Sequence, residues 1–216
     1  MTQRQTALLP RQRAPTLGSD AKRDRILEIA ERLFFEQGYD RTSMDQIVAE
    51  LGVTKPYVYY YFHNKQQILE TLSWPPAVEA LTSMDFEPDD ARPAHVKVSV
   101  GLEKLIRSTI ANHPSGFFAY LEPQAYRPEY KAAQKKLLDH FYERLYALLE
   151  AGRDEGMLDF NETSVTALAA CSLPGFLHTW YRPGGRLSTE EMVNELSMLA
   201  LRVVGLRKTP KRAAKS

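Results

Sequence analysis

Cysteine is almost absent from this chain. Its single example, Cys171, cannot close an intrachain disulfide, so a reducing, cytoplasmic home is expected. Cys171 sits in the apolar run ALAACSLPGFL, which points to a buried structural thiol rather than a nucleophile. Long hydrophobic runs are missing too. No stretch approaches the roughly 18 to 20 apolar residues of a membrane helix, and no apolar segment follows the N-terminal charges as a secretory signal would require. A membrane partner is therefore not expected. The chain carries no G-x-S-x-G, no P-loop and no G-x-G-x-x-G, so an enzyme reading has no motif behind it and no cofactor is expected. His63, His95, His113, His140 and His178 are scattered, with no pair at helical ligand spacing, so a metal site is not expected either. An excess of one charge is also lacking. Lys and Arg number 28 against 27 Asp and Glu, a net charge of +1 that announces no nucleic-acid partner.

What is present fits a globular protein. Hydrophobic residues make up 44% and charged residues 25% of the 216, enough for a real core. Charge is unevenly placed. Arg4, Arg11, Arg13, Lys22, Arg23 and Arg25 crowd the start, and Arg207, Lys208, Lys211, Arg212 and Lys215 the end. Such arms reach nucleic acid or are simply solvated. Residues 1–19 read as a disordered basic arm and 207–216 as a basic tail. Between them the apolar periodicity is helical throughout, and the fold class is all-α with about nine helices. Asp20 is the expected N-cap of the first, with Ile26, Leu27, Ala30, Leu33 and Phe34 on one face and Gly38 as its stop. Thr42 or Ser43 opens a second helix and Thr54 a third, with Pro56 in its first turn. Asn64 caps a fourth, which Pro75–Pro76 could bend or end. Later helices start near Ala94, at Pro128, at Asn161 and at Ser188, the last with Glu191 completing a capping box. Residues 20–65 are expected to form one domain and residues 66–206 a second.

The most informative stretch is TSMDQIVAELGVTKPYVYYYFHNK, residues 42–65. Two short helices meeting at a glycine turn make a helix-turn-helix. In the second of them Val58, Tyr61 and Phe62 have core spacing. Lys55, Tyr57, Tyr59 and Tyr60 do not, and tyrosine suits sugar, thymine methyl and phosphate alike. Residues 25–69 resemble the N-terminal domain of the TetR family of transcriptional regulators, in the glycine–aromatic turn, the Thr-Ser start, the Leu-Gly-Val turn, the tyrosine-rich helix and the Asn-Lys step. The resemblance implies that Thr42 and Ser43 contact phosphate. It implies that Lys55, Pro56 and Tyr57 face base edges, that Tyr59 and Tyr60 touch the backbone, and that Lys65 binds phosphate. Asp45 stands where many members carry a basic residue, which puts one contact of that helix in doubt.

The rest of the chain resembles the family's C-terminal half in helix order, which implies a ligand-binding and dimerisation domain. HTWYRPGGRLSTEEM is similar to regulators whose inducers are CoA thioesters. Aromatic density makes Tyr126, Tyr130, Phe141 and Trp180 candidate ligand contacts, with Arg127, Arg182 and Arg186 as phosphate-binding groups at the mouth. Plain core and surface ion pairs are the simpler readings. Leu168, Leu173, Phe176, Leu196, Leu199 and Val203 exceed what one core face needs and are candidate dimer contacts. The expected function is a ligand-responsive homodimeric repressor on a palindromic double-stranded operator, released by a small molecule such as a CoA thioester. The alternatives are a ligand-independent DNA-binding protein, or a small-molecule-binding helical protein with a vestigial helix-turn-helix.

Overall fold

A computed structural model describes residues 17–208, which fall into two compact units, 17–65 and 66–208. The expected arm, at residues 1–16, and the tail beyond Lys208 lie outside the described residues. Among the described residues there is no strand.

The first unit holds α1 (Leu17–Gln37), α2 (Met44–Leu51) and α3 (Lys55–Tyr61). The helix α1 starts three residues before the expected cap at Asp20, because Leu17 to Ser19 already continue its turns. Ile26, Ala30, Phe34, Ile47, Val48, Val58 and Phe62 are buried, one apolar stripe from each helix and the residue that ends α3. The helix α2 begins with a capping box, in which the Ser43 hydroxyl accepts from Gln46 N and the Gln46 side chain accepts from Ser43 N. It ends at Gly52, whose φ of 67° is left-handed and so favours glycine. Thr54 stands at the N-cap of α3, but its side chain makes no capping bond.

The second unit takes in α4 (Lys65–Leu81) from Gln66 onward, α5 (Ala94–Ala111), a 3₁₀ turn (Ser115–Phe117), α6 (Phe118–Leu121), α7 (Pro128–Asp154), α8 (Thr163–Gly175), α9 (Leu177–Trp180) and α10 (Thr189–Val203). The helix α4 does not end at Pro75 and Pro76 but continues past them to Leu81. Ten α-helices are described rather than nine, because the stretch expected as one helix breaks behind Pro174 into α8 and α9. Glu162, not Asn161, caps α8, its carboxylate accepting from Val165 N at 2.5 Å. Ser188 and Glu191 form the expected box on α10. The central helix is α5, with Val98, Leu102, Leu105 and Ile106 packed against Phe141, Leu145 and Leu149 of α7, Ala167 and Ala170 of α8, and Val193, Leu196 and Ala200 of α10. Each large side chain so removed from water contributes about 1.5–3 kcal/mol before the entropy of ordering is charged against it.

Candidate nucleic-acid interface and effector chamber

The helix α3 is built to show its side chains rather than bury them. Val58 alone is buried within it, and Phe62 follows as its C-cap. Tyr60 is 79% exposed and Tyr59 42%. Tyr57 and Tyr60 each pack a ring on Tyr61, at 5.7 and 5.0 Å between centroids, so Tyr61 is the half-buried base that splays them. Lys55 and Pro56 are exposed at the start of the helix. Lys55 Nζ donates to Asp45 Oδ2 at 2.8 Å, which raises the ammonium's pKa. The departure at Asp45 therefore has a local role, holding the Lys55 side chain across from α2. Pairs this open to water are weak, and the lysine can leave Asp45 for a stronger anion.

Two expected phosphate contacts have other work in the described structure. Thr42 is 1% exposed. Its hydroxyl donates toward Gly38 O at 2.9 Å and Leu33 O at 3.3 Å and accepts from Gln37 Nε2 at 3.1 Å, so it closes the end of α1 and is not turned to solvent. Lys65 Nζ lies 2.8 Å from Tyr39 O, 3.0 Å from Thr42 O and 3.3 Å from Asp40 O, and 4.2 Å from the Tyr39 ring centre. An ammonium has three donors, and three carbonyls of the α1–α2 turn engage them. Ser43 is exposed beside that turn, and so is Arg41, a cation that sequence reasoning passed over.

The second unit contains a cavity of about 390 Å³, framed by α4, α5, the 3₁₀ turn, α6, α7 and α8. Its floor is Ser73, Pro76, Leu105, Ser108, Phe141 and Pro174, all buried. Its mouth is Tyr120, Lys131, Lys135 and Leu138, all exposed. Burial pushes the Tyr142 hydroxyl and the Cys171 thiol in the wall up to about 12, so both are neutral at physiological pH. Pro174 and Gly175 line the cavity at the break that ends α8.

Of the seven residues expected at the ligand site, Phe141 lines this chamber and the other six do not. Tyr126 and Tyr130 are buried and stacked at 4.6 Å, one layer behind the wall, with the Tyr126 hydroxyl 2.7 Å from Ser73 Oγ. Arg127 braces the loop before α7. Its Nε and Nη2 donate to Glu70 Oε2 at 2.8 and 2.5 Å, and its backbone N to Glu70 Oε1 at 2.9 Å. Trp180 is half exposed on α9. Arg182 donates to Tyr181 O at 2.7 Å, and neither it nor Arg186 reaches the chamber wall. Among the expected dimer contacts, Leu168, Phe176, Leu199 and Val203 are exposed, joined by Val165 and Met198. Leu196 is buried and Leu173 half buried, both packed in the core of the protomer itself, because α5 covers their side of the helices. Among the described residues no group of His, Cys, Asp and Glu could hold a metal ion, and no helix is long and apolar enough to cross a membrane.

Comparison with known proteins matches both units. Residues 26–72 fit the family model described as bacterial regulatory proteins, tetR family, and residues 93–204 fit that of the tetracyclin repressor-like C-terminal domain. An uncharacterized HTH-type transcriptional regulator, YfiR of Bacillus subtilis, is 26% identical over 140 residues, 63% of this chain and 68% of YfiR. The structure of PfmR, a TetR family regulator of Thermus thermophilus, superposes with a TM-score of 0.72 at 28% identity over 86% of this chain and 100% of PfmR. AibR, solved with isovaleryl coenzyme A and operator DNA, shares the fold at a TM-score of 0.66 and 20% identity, over 86% of this chain and 100% of AibR. Regulators of this kind bind operator DNA and small-molecule effectors and act as dimers. With both halves matched over more than half of its length, the chain belongs to the TetR family of bacterial regulatory proteins, DNA-binding transcriptional regulators rather than enzymes.

Proposed function

We propose that the protein is a dimeric repressor that reads a palindromic operator with α3 and leaves it when an effector, a CoA thioester, enters the α4–α8 chamber. The observation that carries this reading is the chamber itself. About 390 Å³ is within the range of small-molecule sites, and a cavity of that size argues against the ligand-independent alternative. A single short α3 reads only a few base pairs, so a two-fold dimer with half-sites about 34–36 Å apart supplies the contacts one copy lacks. Lys55, Pro56, Tyr57, Tyr59, Tyr60 and Ser43 are the proposed contacts. The exposed apolar stripe of Leu168, Phe176, Leu199 and Val203 supports α8 and α10 as the dimer face. Isovaleryl coenzyme A bound to AibR, a protein of the same fold, supports the effector class. A roughly hundredfold preference of effector for the form that cannot hold DNA shifts the equilibrium by about 2.7 kcal/mol, enough to free a moderately bound operator. The test is titration of the operator complex with acyl-CoA and phenylacetyl-CoA, with free CoA and the free acids as controls. Release below millimolar thioester is the expected result. No response to any thioester removes the CoA reading and leaves the repressor reading to another ligand.

A further inference from the structure

The lining of the chamber is biased in charge and its volume is bounded. None of the described side chains lining it is acidic, whereas two, Lys131 and Lys135, are basic. They are four positions apart, so on α7 they stand one turn apart on the same face. Both are exposed, and they sit at the mouth beside Tyr120 and Leu138, whereas the floor is buried and mostly apolar. Lys135 bonds Asp139 at 2.6 Å, a surface pair one turn away that an incoming anion can displace. The nearest buried carboxylate, Glu70 on α4, is outside the wall and is neutralised by Arg127. The polar groups of the wall that titrate, Tyr142 and Cys171, stay uncharged. A cation entering here meets two ammonium groups, and the carboxylates at hand, Asp139 beside Lys135 and Glu79 beside Asn112, stand outside the lining and are already bonded. An amphipathic anion meets the reverse.

We infer that the effector is an amphipathic oxyanion whose apolar body fills the chamber and whose anionic head is held at the mouth by Lys131 and Lys135. These two lysines take the role that the sequence suggested for Arg127, Arg182 and Arg186. At about 30 Å³ per water-sized group, 390 Å³ admits about a dozen non-hydrogen groups. That matches a medium-length acyl chain or an aryl acid and is far too small for a whole CoA ester, whose nucleotide must stay outside. The inference rests on the effector reading above. The oxyanion is the carboxylate of a free acid or the phosphates of a thioester, and the experiment separates them.

The experiment is calorimetric titration of the full chain with straight-chain carboxylates from hexanoate to hexadecanoate, their CoA thioesters, decanol and inorganic phosphate. Affinity is expected to rise with chain length and level off near decanoate to dodecanoate. Decanol is expected to bind about tenfold more weakly, the order of one charge-assisted bond, and phosphate alone not measurably. The double variant Lys131→Gln, Lys135→Gln is expected to lose about tenfold for the anion and nothing for decanol. Both positions are on the exposed side of α7, and an unchanged unfolding midpoint certifies the fold. Binding by acids but not thioesters keeps the lysine anchor and removes the CoA reading; binding by thioesters alone keeps both. Equal binding of decanol and decanoate, or a double variant that loses nothing, overturns the anchor. If Ala77→Phe, which fills the chamber, still blocks decanol in that case, the chamber remains the effector site. Strong binding of inorganic phosphate, lost in the double variant, overturns the amphipathic ligand in favour of a free-anion site. No binding by any amphiphile overturns anchor and chamber together.

Discussion

Replacing Lys65 by methionine separates two roles that a lysine at this place can have. Met keeps the apolar stem and removes the ammonium. In the structure that ammonium ties Tyr39 O, Thr42 O and Asp40 O, at 2.8, 3.0 and 3.3 Å, so it clamps the turn that sets the start of α2. A hydrogen bond from a charged donor is worth about 1.5–3 kcal/mol net in a sheltered site. Lys65 is only half buried, and water reaches the carbonyls once it is gone, so the three bonds together are worth about 2 kcal/mol. The expected result for Lys65→Met is a loss of about 2 kcal/mol in the opening free energy of the amides in the 39–43 turn, read by native-state hydrogen exchange. Operator binding weakens because the turn is loosened. The slope of log K against log salt stays as in the parent, since no phosphate charge pair has been removed. A phosphate anchor behaves in the opposite way. Losing one contact per protomer lowers the slope by about 0.9 for each and leaves exchange untouched. That second pattern would refute the internal clamp.

The same lysine marks where sequence reasoning stops. Helix type and order were legible, and so were the ends whose determinants are local, although α1 starts before Asp20, α8 takes its cap from Glu162 and its chain breaks behind Pro174. Ser43 and Gln46, Ser188 and Glu191, and Gly52 each act within one turn of chain. The tyrosine-rich face of α3 was legible for the same reason, since seven residues with one buried valine must show the rest. Lys65 bonds carbonyls 23 to 26 positions away, and Glu70 holds Arg127 across 57. Periodicity carries no sign of such partners, and both cations read as free. Leu196 and Leu199 share one stripe of α10, and only the packing of α5 decides that the first is core and the second is surface. The chamber was sought among aromatics, but its space comes from small residues. Ser73, Ala77 and Ala80 follow i, i+4, i+7 on α4 opposite Ser108 and Thr109 of α5. That spacing of small side chains was the available signal, because a helix that packs tightly there would carry larger ones.

Further outcomes follow from the described side chains. Tyr60→Ala is expected to leave the unfolding free energy within about 0.5 kcal/mol, since the ring is 79% exposed, while weakening operator binding in a fluorescence anisotropy titration. Leu199→Glu is expected to give a folded monomer by sedimentation, whereas Leu196→Ala costs about 2–5 kcal/mol of stability with the dimer intact. Cys171, its thiol pushed up to about 12 by burial, is almost wholly protonated at pH 8 and is expected to resist iodoacetamide until urea unfolds the chain, with reactivity rising as the pH approaches that value. Arg127→Ala decides whether the arginine before α7 is brace or ligand contact. Glu70 is only 6% exposed and accepts three bonds, all from Arg127. Removing the guanidinium takes away two of them and leaves a buried carboxylate with one backbone donor. Breaking a fully buried pair in this way costs about 3–5 kcal/mol. The guanidinium is 56% exposed, so solvent already screens the pair and the expected cost falls to about 1–2 kcal/mol. Glu70→Gln in the same background removes the stranded charge and is expected to recover part of that loss, a coupling that a double-mutant cycle in urea denaturation measures. Effector affinity of Arg127→Ala should stay within about twofold of the parent, since the side chain is outside the chamber wall. An Arg127→Ala protein as stable as the parent that has lost effector binding would return this arginine to the ligand site and remove it from the frame of the fold.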